Sequence, residues 1–81
     1  MKMSQTPIDE FLAGEANDYI RAQLLTIIEQ RQAGRQYLTY NTFNVLLDVD
    51  AGTAIVEDEL DVDRQSVVSL SHFETLLRSA D

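Results

Sequence analysis

The sequence predicts an α+β domain in which helices pack on one face of a three-stranded antiparallel sheet. Three observations indicate this class. Residues 6–34 repeat apolar side chains at helical spacing, residues 36–60 are rich in β-branched and aromatic residues at strand spacing, and a capped helical pattern closes the chain. Because 81 residues with 44% hydrophobic side chains suffice for one small core, we expect a single domain over residues 1–81.

The N-terminal segment predicts a helix that begins at Thr6 and Pro7. Thr is a favoured N-cap, and Pro suits the first helical position because its missing N–H has no partner there anyway. An unbroken helix over this segment would be about 39 Å long, whereas a compact chain of this size is only about 30 Å across. We therefore expect a break near Gly14–Asn17. Without a break, a second copy must cover three apolar side chains of the first turns, Ile8, Phe11 and Leu12.

The middle of the chain predicts a sheet. The segment "QYLTYNTFNVLLD" is typical of one long strand, with five side chains on one face: Tyr37, Thr39, Phe43, Val45 and Leu47. A hairpin is predicted at Asp48–Gly52, because Asp50 can bond to its own backbone and Gly52 can take a positive φ. The segment "TAIVEDEL" then returns as the second strand. After a turn at "DVDRQ", the segment "SVVSL" forms a short third strand.

The C-terminal segment predicts a helix capped by Ser71 and Glu74, which have the spacing of a capping box. Its apolar side chains Phe73, Leu76 and Leu77 face the sheet. His72, the only histidine, then lies at the first helical position and is exposed. A nucleophilic serine beside His72 would also need an orienting acid and an oxyanion hole. Since Ser71 is already explained as a cap, we expect no enzymatic activity.

One short segment resembles a known family. "QSVVSLSHFETLL", a strand that runs through Ser into a capped helix, is similar to the end of the conserved core of Phd/YefM-type antitoxins. The resemblance covers thirteen of the 81 residues. Those antitoxins begin with a strand and a basic DNA-contacting region that have no counterpart here, so neither DNA binding nor a residue role is transferred.

Acidic side chains are concentrated in residues 48–63. The chain has a formal net charge of −8, and seven of its fourteen acidic residues lie in this segment, which contains no Lys or Arg. The electric field of this acidic cluster repels phosphate backbones and attracts basic surfaces, so we expect no direct nucleic-acid binding. The candidate partner-binding residues are Asp48, Asp50, Glu57, Asp58, Glu59, Asp61 and Asp63.

The same acidic residues do not make a convincing metal site. Asp48, Asp50 and Glu59 occupy positions one, three and twelve of an EF-hand spacing. However, Gly52 stands where an oxygen ligand is required, and Thr53 stands where the sharp turn requires Gly. The three glycines are too far apart to form a phosphate loop, and the chain has no cysteine. We therefore expect no metal and no cofactor.

Two functional hypotheses follow. The first is a small acidic binding protein, such as an inhibitor, an immunity-type protein or an antitoxin-like module, whose hairpin covers a basic protein such as a toxin or nuclease. The second is a self-associating structural or accessory protein in which the acids only keep the chain soluble. A chain this short buries a modest core, so we also expect a homodimer. With no apolar run of signal or membrane length, we expect a cytoplasmic protein that does not bind membranes.

Overall fold

The computed structural model describes residues 6–30 and 34–79, and it confirms the predicted α+β class. The sheet has four strands in the order β1-β2-β3-β4, each antiparallel to its neighbour, so the predicted count of three strands is wrong. In chain order the elements are α1 (Pro7–Glu10), a π-helical segment (Phe11–Glu15), α2 (Asp18–Gln30), β1 (Arg35–Thr39), β2 (Phe43–Asp48), β3 (Thr53–Asp58), β4 (Asp61–Ser69) and α3 (Leu70–Arg78).

The extra strand arises because the predicted long strand is two strands joined by a turn at residues 40–42. The backbone N–H of Tyr40 donates to the carbonyl of Phe43 over 2.9 Å and closes this turn. The carboxylate of Glu15 accepts from the backbone N–H of Thr42 at 3.0 Å and of Phe43 at 3.2 Å. The turn is therefore held by a residue from another element. As a result, Tyr37 and Phe43 lie on opposite faces of the sheet rather than on the same face.

The last strand is also longer than predicted. The segment expected to be a turn, residues 61–65, is the first part of β4, and the chain reverses at Glu59 and Leu60 instead. The pairing of β3 with β4 shifts register between Glu57 and Asp58, which is typical of a β-bulge. The predicted hairpin at Asp48–Gly52 is confirmed, and Gly52 has the expected positive φ of 71°.

The helices cover one face of the sheet, where the buried apolar residues of β2 and β3 lie at alternate positions. Because strand side chains alternate between faces, these apolar residues share one side, while Asn44, which is also buried, lies on the other. The core side chains without any exposed surface are Phe11, Leu24, Val45, Leu47, Ala54, Val56 and Phe73. Ile8 is only 7% exposed within one chain. Burial of Ile8 and Phe11 therefore does not require a second copy.

The predicted break near Gly14–Asn17 is present. Thr6 caps α1 as predicted, since its hydroxyl accepts from the backbone N–H of Asp9 at 3.3 Å. Ala16 and Asn17 interrupt the helical backbone, and the Asn17 side chain accepts from the N–H of Ile20 at 2.9 Å. The longest helix, α2, has 13 residues. None of the helices in the described ranges has the length and apolar character needed to cross a bilayer.

Arg21, which lies on α2, links three helical segments through hydrogen bonds to backbone carbonyls of the other two. Its guanidinium donates to the carbonyls of Ala16 at 2.8 Å and Leu12 at 3.2 Å, next to the break. It also donates to the carbonyls of Leu77 at 2.9 Å and Leu76 at 3.2 Å, in the last turns of α3. A cation at helix C-terminal carbonyls satisfies acceptors that have no partner within the helix. Arg21 thus caps two helical segments at once.

The last helix begins at Leu70, two residues before the predicted position. Ser69 has an extended backbone, and its hydroxyl accepts from the backbone N–H of His72 at 3.1 Å. Ser69 is therefore the N-cap, and the predicted capping role of Ser71 and Glu74 is wrong. The reason is that β4 runs directly into the helix and leaves its final residue at the capping position. His72 is the third helical residue rather than the first, and it is exposed.

Candidate partner-binding surface

The sheet divides the predicted acidic residues between its two ends. Asp48 and Asp50 lie at the turn between β2 and β3, whereas the others lie at the opposite end of β3. A strand of six residues separates these ends by about 17 Å, at about 3.4 Å for each residue. The three residues with EF-hand spacing are divided in the same way. We use the name acidic end for the larger group, Glu57, Asp58, Glu59, Asp61 and Asp63.

Asp48 holds its own turn together. Its carboxylate accepts from the backbone N–H of Ala51 at 3.0 Å and from the Arg35 guanidinium at 3.2 Å. The Asp48 side chain is only 15% exposed, whereas Arg35 is largely exposed. This carboxylate is therefore occupied within the chain, and Asp50 is the exposed acid of this turn.

Asp58 also has a structural role. One carboxylate oxygen accepts from the backbone N–H of Leu60 at 2.9 Å and shapes the turn between β3 and β4. The other oxygen pairs with Arg64 at 2.8 Å. Arg64 lies 3.4 Å from Glu10 as well, so it connects the acidic end to α1. The charge of Asp58 is thus largely balanced before any partner arrives.

Three acids of the acidic end remain exposed: Glu59, Asp61 and Asp63. Asp61 accepts from the backbone N–H of Asp63 at 3.2 Å, which fixes the start of β4. No Lys or Arg within the described ranges forms an ion pair with any of the three. Leu60 lies between them and is 90% exposed. Within the described ranges, this end therefore presents three exposed carboxylates without ion-pair partners around an apolar side chain.

The second feature is the sheet face opposite the helices, here called the open face. Strand register aligns one apolar side chain from each strand across it, because Tyr37 pairs with Leu46, Leu46 with Ile55, and Ile55 with Val67. None of these four residues belongs to the buried core or to the apolar residues that pack against it. Tyr37 is 58% and Val67 is 56% exposed. Sequence reasoning missed this row because it placed Tyr37 on the same face as Phe43.

A polar cluster borders the apolar row next to the acidic end. The Glu57 carboxylate accepts from the Tyr37 hydroxyl at 2.7 Å and from the Asn44 side-chain amide at 3.2 Å. The hydrogen bond to Glu57, with smaller effects of burial and of the Glu57 and Glu59 charges, raises the pKa of Tyr37 above its ordinary value. Asn44 is only 4% exposed, and its Oδ1 has no donor within the described chain. Such an unsatisfied buried acceptor is uncommon in folded proteins.

The remaining surface offers little for catalysis or metal binding. No three His, Asp or Glu side chains in the described ranges converge in a way that could hold a metal ion. A cleft lies between the π-helical segment and the turn after β1, and three of the polar side chains that line it already have partners. Glu15 accepts from the turn, Asn17 caps α2, and the Tyr40 hydroxyl donates to Gln23 at 2.9 Å.

Comparison with known proteins adds no family. No family model matches the chain, and no curated protein or solved structure matches it either. The two surfaces, the acidic end and the open face, are therefore the features of the described residues that point to a function.

Proposed function

We propose that this chain is a non-enzymatic binding protein that presents its acidic end to a basic surface of a protein partner, as an inhibitor, an immunity-type protein or an antitoxin-like module does. A toxin or a nuclease is the kind of basic partner in question. The observation that supports the proposal is the group of three exposed acids around Leu60, none of which forms an ion pair with a Lys or Arg of the described residues. Charge on one end of a molecule steers a basic partner into one orientation.

We assign partner binding to only some of the predicted acidic residues. Asp48 and Asp58 are engaged in turns and ion pairs, and Asp50 lies at the far end of the sheet. A partner that contacts the acidic end therefore meets Glu59, Asp61 and Asp63 first. The charges of these carboxylates contribute little to folding stability, because the side chains are exposed and have no ionic partner in the described chain.

A paired capture experiment tests the proposal. The tagged chain and a variant with Glu59→Gln, Asp61→Asn and Asp63→Asn are incubated with extract of the native host at low salt. We expect the unmodified chain to retain a basic protein that elutes as salt is raised, and the amide variant to lose it. Retention of the same protein by both chains, with the same elution salt, would contradict the proposal.

The alternative function is a self-associating structural protein whose acids are solubilising charge. The observation that favours it is the free edge of β1, a short strand in which Arg35 is the only charged residue. Exposed edges of this kind pair with other strands. The homodimer thus stays a prediction, for which the edge of β1 is one possible contact, and sedimentation equilibrium at micromolar concentration that shows only monomer would contradict it. A cytoplasmic location likewise stays a prediction.

A further inference from the structure

We infer that the open face is the apolar centre of the partner interface, and that the partner presents an apolar patch bordered by lysine or arginine on the side that meets the acidic end. The inference rests on the proposed function and adds the binding surface and the chemistry of the partner. It assigns the contact to Tyr37, Leu46, Ile55 and Val67, with the acidic end at the border.

The geometry of the apolar row fits such a role. Its four side chains come from four hydrogen-bonded strands, so the row is about 14 Å long at about 4.8 Å between strands. Backbone pairing holds these positions in place before a partner binds, which lowers the entropic cost of association. Tyr37 combines a large apolar ring with a polar hydroxyl, a combination that is enriched at interface centres.

The charges around the open face indicate which kind of partner binds there. Glu57 lies beside Tyr37, while on the other side of the row Arg35 and Asp48 neutralise each other. The open face is thus apolar in the middle, acidic along one border and neutral along the other. A second copy would bring another chain of net charge −8 and the same acidic border, so repulsion disfavours it. A basic protein surface complements the border and leaves the row free to bury apolar area.

The unpaired side-chain oxygen of Asn44 is an independent indication that a partner contributes a hydrogen-bond donor to this face. Its Oδ1 lacks a donor within the described chain, and its amide nitrogen is 3.2 Å from the Glu57 carboxylate. A lysine ammonium that binds Glu57 in place of the Tyr37 hydroxyl would bring N–H groups to this cluster. Buried acceptors are normally satisfied. The described residues supply no donor for this oxygen, so we assign that donor to the partner.

The test uses two short synthetic peptides of equal charge and length. One alternates lysine with valine, and the other alternates lysine with serine. Binding to the ¹⁵N-labelled full chain is followed by amide chemical shifts at low salt. We expect the lysine–valine peptide to bind about tenfold more tightly, with the largest shifts in the strands that carry Tyr37, Ile55 and Val67. The lysine–serine peptide should shift mainly the acidic end.

A double variant, Ile55→Thr with Val67→Thr, removes apolar surface while it keeps two β-branched residues in the strands. It should lose about tenfold in affinity for the lysine–valine peptide and keep its affinity for the lysine–serine peptide. Tyr19→Gln is the matched control, because Tyr19 is 75% exposed on α2. It should change neither affinity. If the double variant fails to fold, Val67→Thr alone, at a site 56% exposed, provides the same comparison.

The outcomes separate this inference from the proposed function. Equal affinity for both peptides, or an unchanged lysine–valine affinity in the threonine variants, would overturn the open face as the contact surface. If the acidic-end amide variant then still loses binding, the proposed function survives that result. If neither peptide binds the unmodified chain at low salt, both the inference and the proposed function are overturned.

Discussion

The start of α3 provides a prediction with a matched control, because Ser69 and Ser71 are both exposed serines at the same end of the helix. The Ser69 hydroxyl accepts from the backbone N–H of His72 at 3.1 Å, whereas Ser71 lies within the first helical turn. Its hydroxyl has only a 3.4 Å contact with Ser69. Ser69→Ala should therefore remove the cap, and Ser71→Ala should not.

The expected magnitudes follow from this geometry. Loss of an N-cap leaves a helical N–H without its partner and typically costs about 1 kcal/mol of unfolding free energy. For a domain of this size, about 1 kcal/mol lowers the melting temperature by about 4–8 °C. Replacement of Ser71 by Ala should be neutral or slightly stabilising, since Ala has the higher helix propensity by about 0.5 kcal/mol.

Urea unfolding followed by circular dichroism measures both variants under the same conditions. We expect a lower midpoint for Ser69→Ala and an unchanged or higher midpoint for Ser71→Ala, with equal slopes. The reverse order would show that the helix begins at the position the capping pattern of the sequence indicates. It would also refute the continuous passage from β4 into α3.

Two further predictions concern the packing of the helices. Phe73→Ala should lower the unfolding free energy by about 3–5 kcal/mol and Leu77→Ala by about 2–5 kcal/mol, because both side chains are buried. Leu76→Ala should lower it less, because Leu76 is only partly buried. Unchanged unfolding midpoints for the Phe73 and Leu77 variants would contradict the helix–sheet core. Arg21→Met should lower the unfolding free energy by about 2–3 kcal/mol, because it leaves backbone carbonyls without a donor. An unchanged unfolding midpoint would show that these hydrogen bonds do not stabilise the position of α3.

Some local signals in the sequence predict local structure correctly, although the capping pattern of Ser71 and Glu74 does not. Thr6 and Pro7 identify the first helix start, and Asp50 and Gly52 identify the central hairpin, because the residues that form these features are neighbours in the chain. The turn after β1 is not predictable from its own residues. Its backbone donors bond to Glu15, which is 27 residues away from Thr42. An alternation pattern cannot reveal a turn that a distant carboxylate stabilises.

The candidate site was predictable only in part. A charge count locates the acids, but it does not show that Asp58 pairs with Arg64 or that Asp48 pairs with Arg35. Those pairs depend on strand register, which is set by the whole sheet. The same register aligns Tyr37 with the apolar residues of the other strands. A prediction that treats the hairpin of β1 and β2 as one long strand places Tyr37 on the wrong face and so cannot reveal the open face.

The rate of association with the captured basic partner tests the central claim most directly, when it is measured across a salt series. The acidic-end variant, Glu59→Gln with Asp61→Asn and Asp63→Asn, is compared with a control that loses the same charge elsewhere. That control changes three other exposed acids, Asp18→Asn, Glu29→Gln and Asp50→Asn.

Each exposed carboxylate near a partner cation is expected to change the rate by about twofold at physiological salt, so the acidic-end variant should associate about tenfold more slowly. Its rate should also depend less on salt, while its unfolding midpoint stays unchanged or rises. The control should keep a rate close to that of the unmodified chain. Equal rates and equal salt slopes for the two variants would contradict recognition by the acidic end and leave its charge as a solubilising feature.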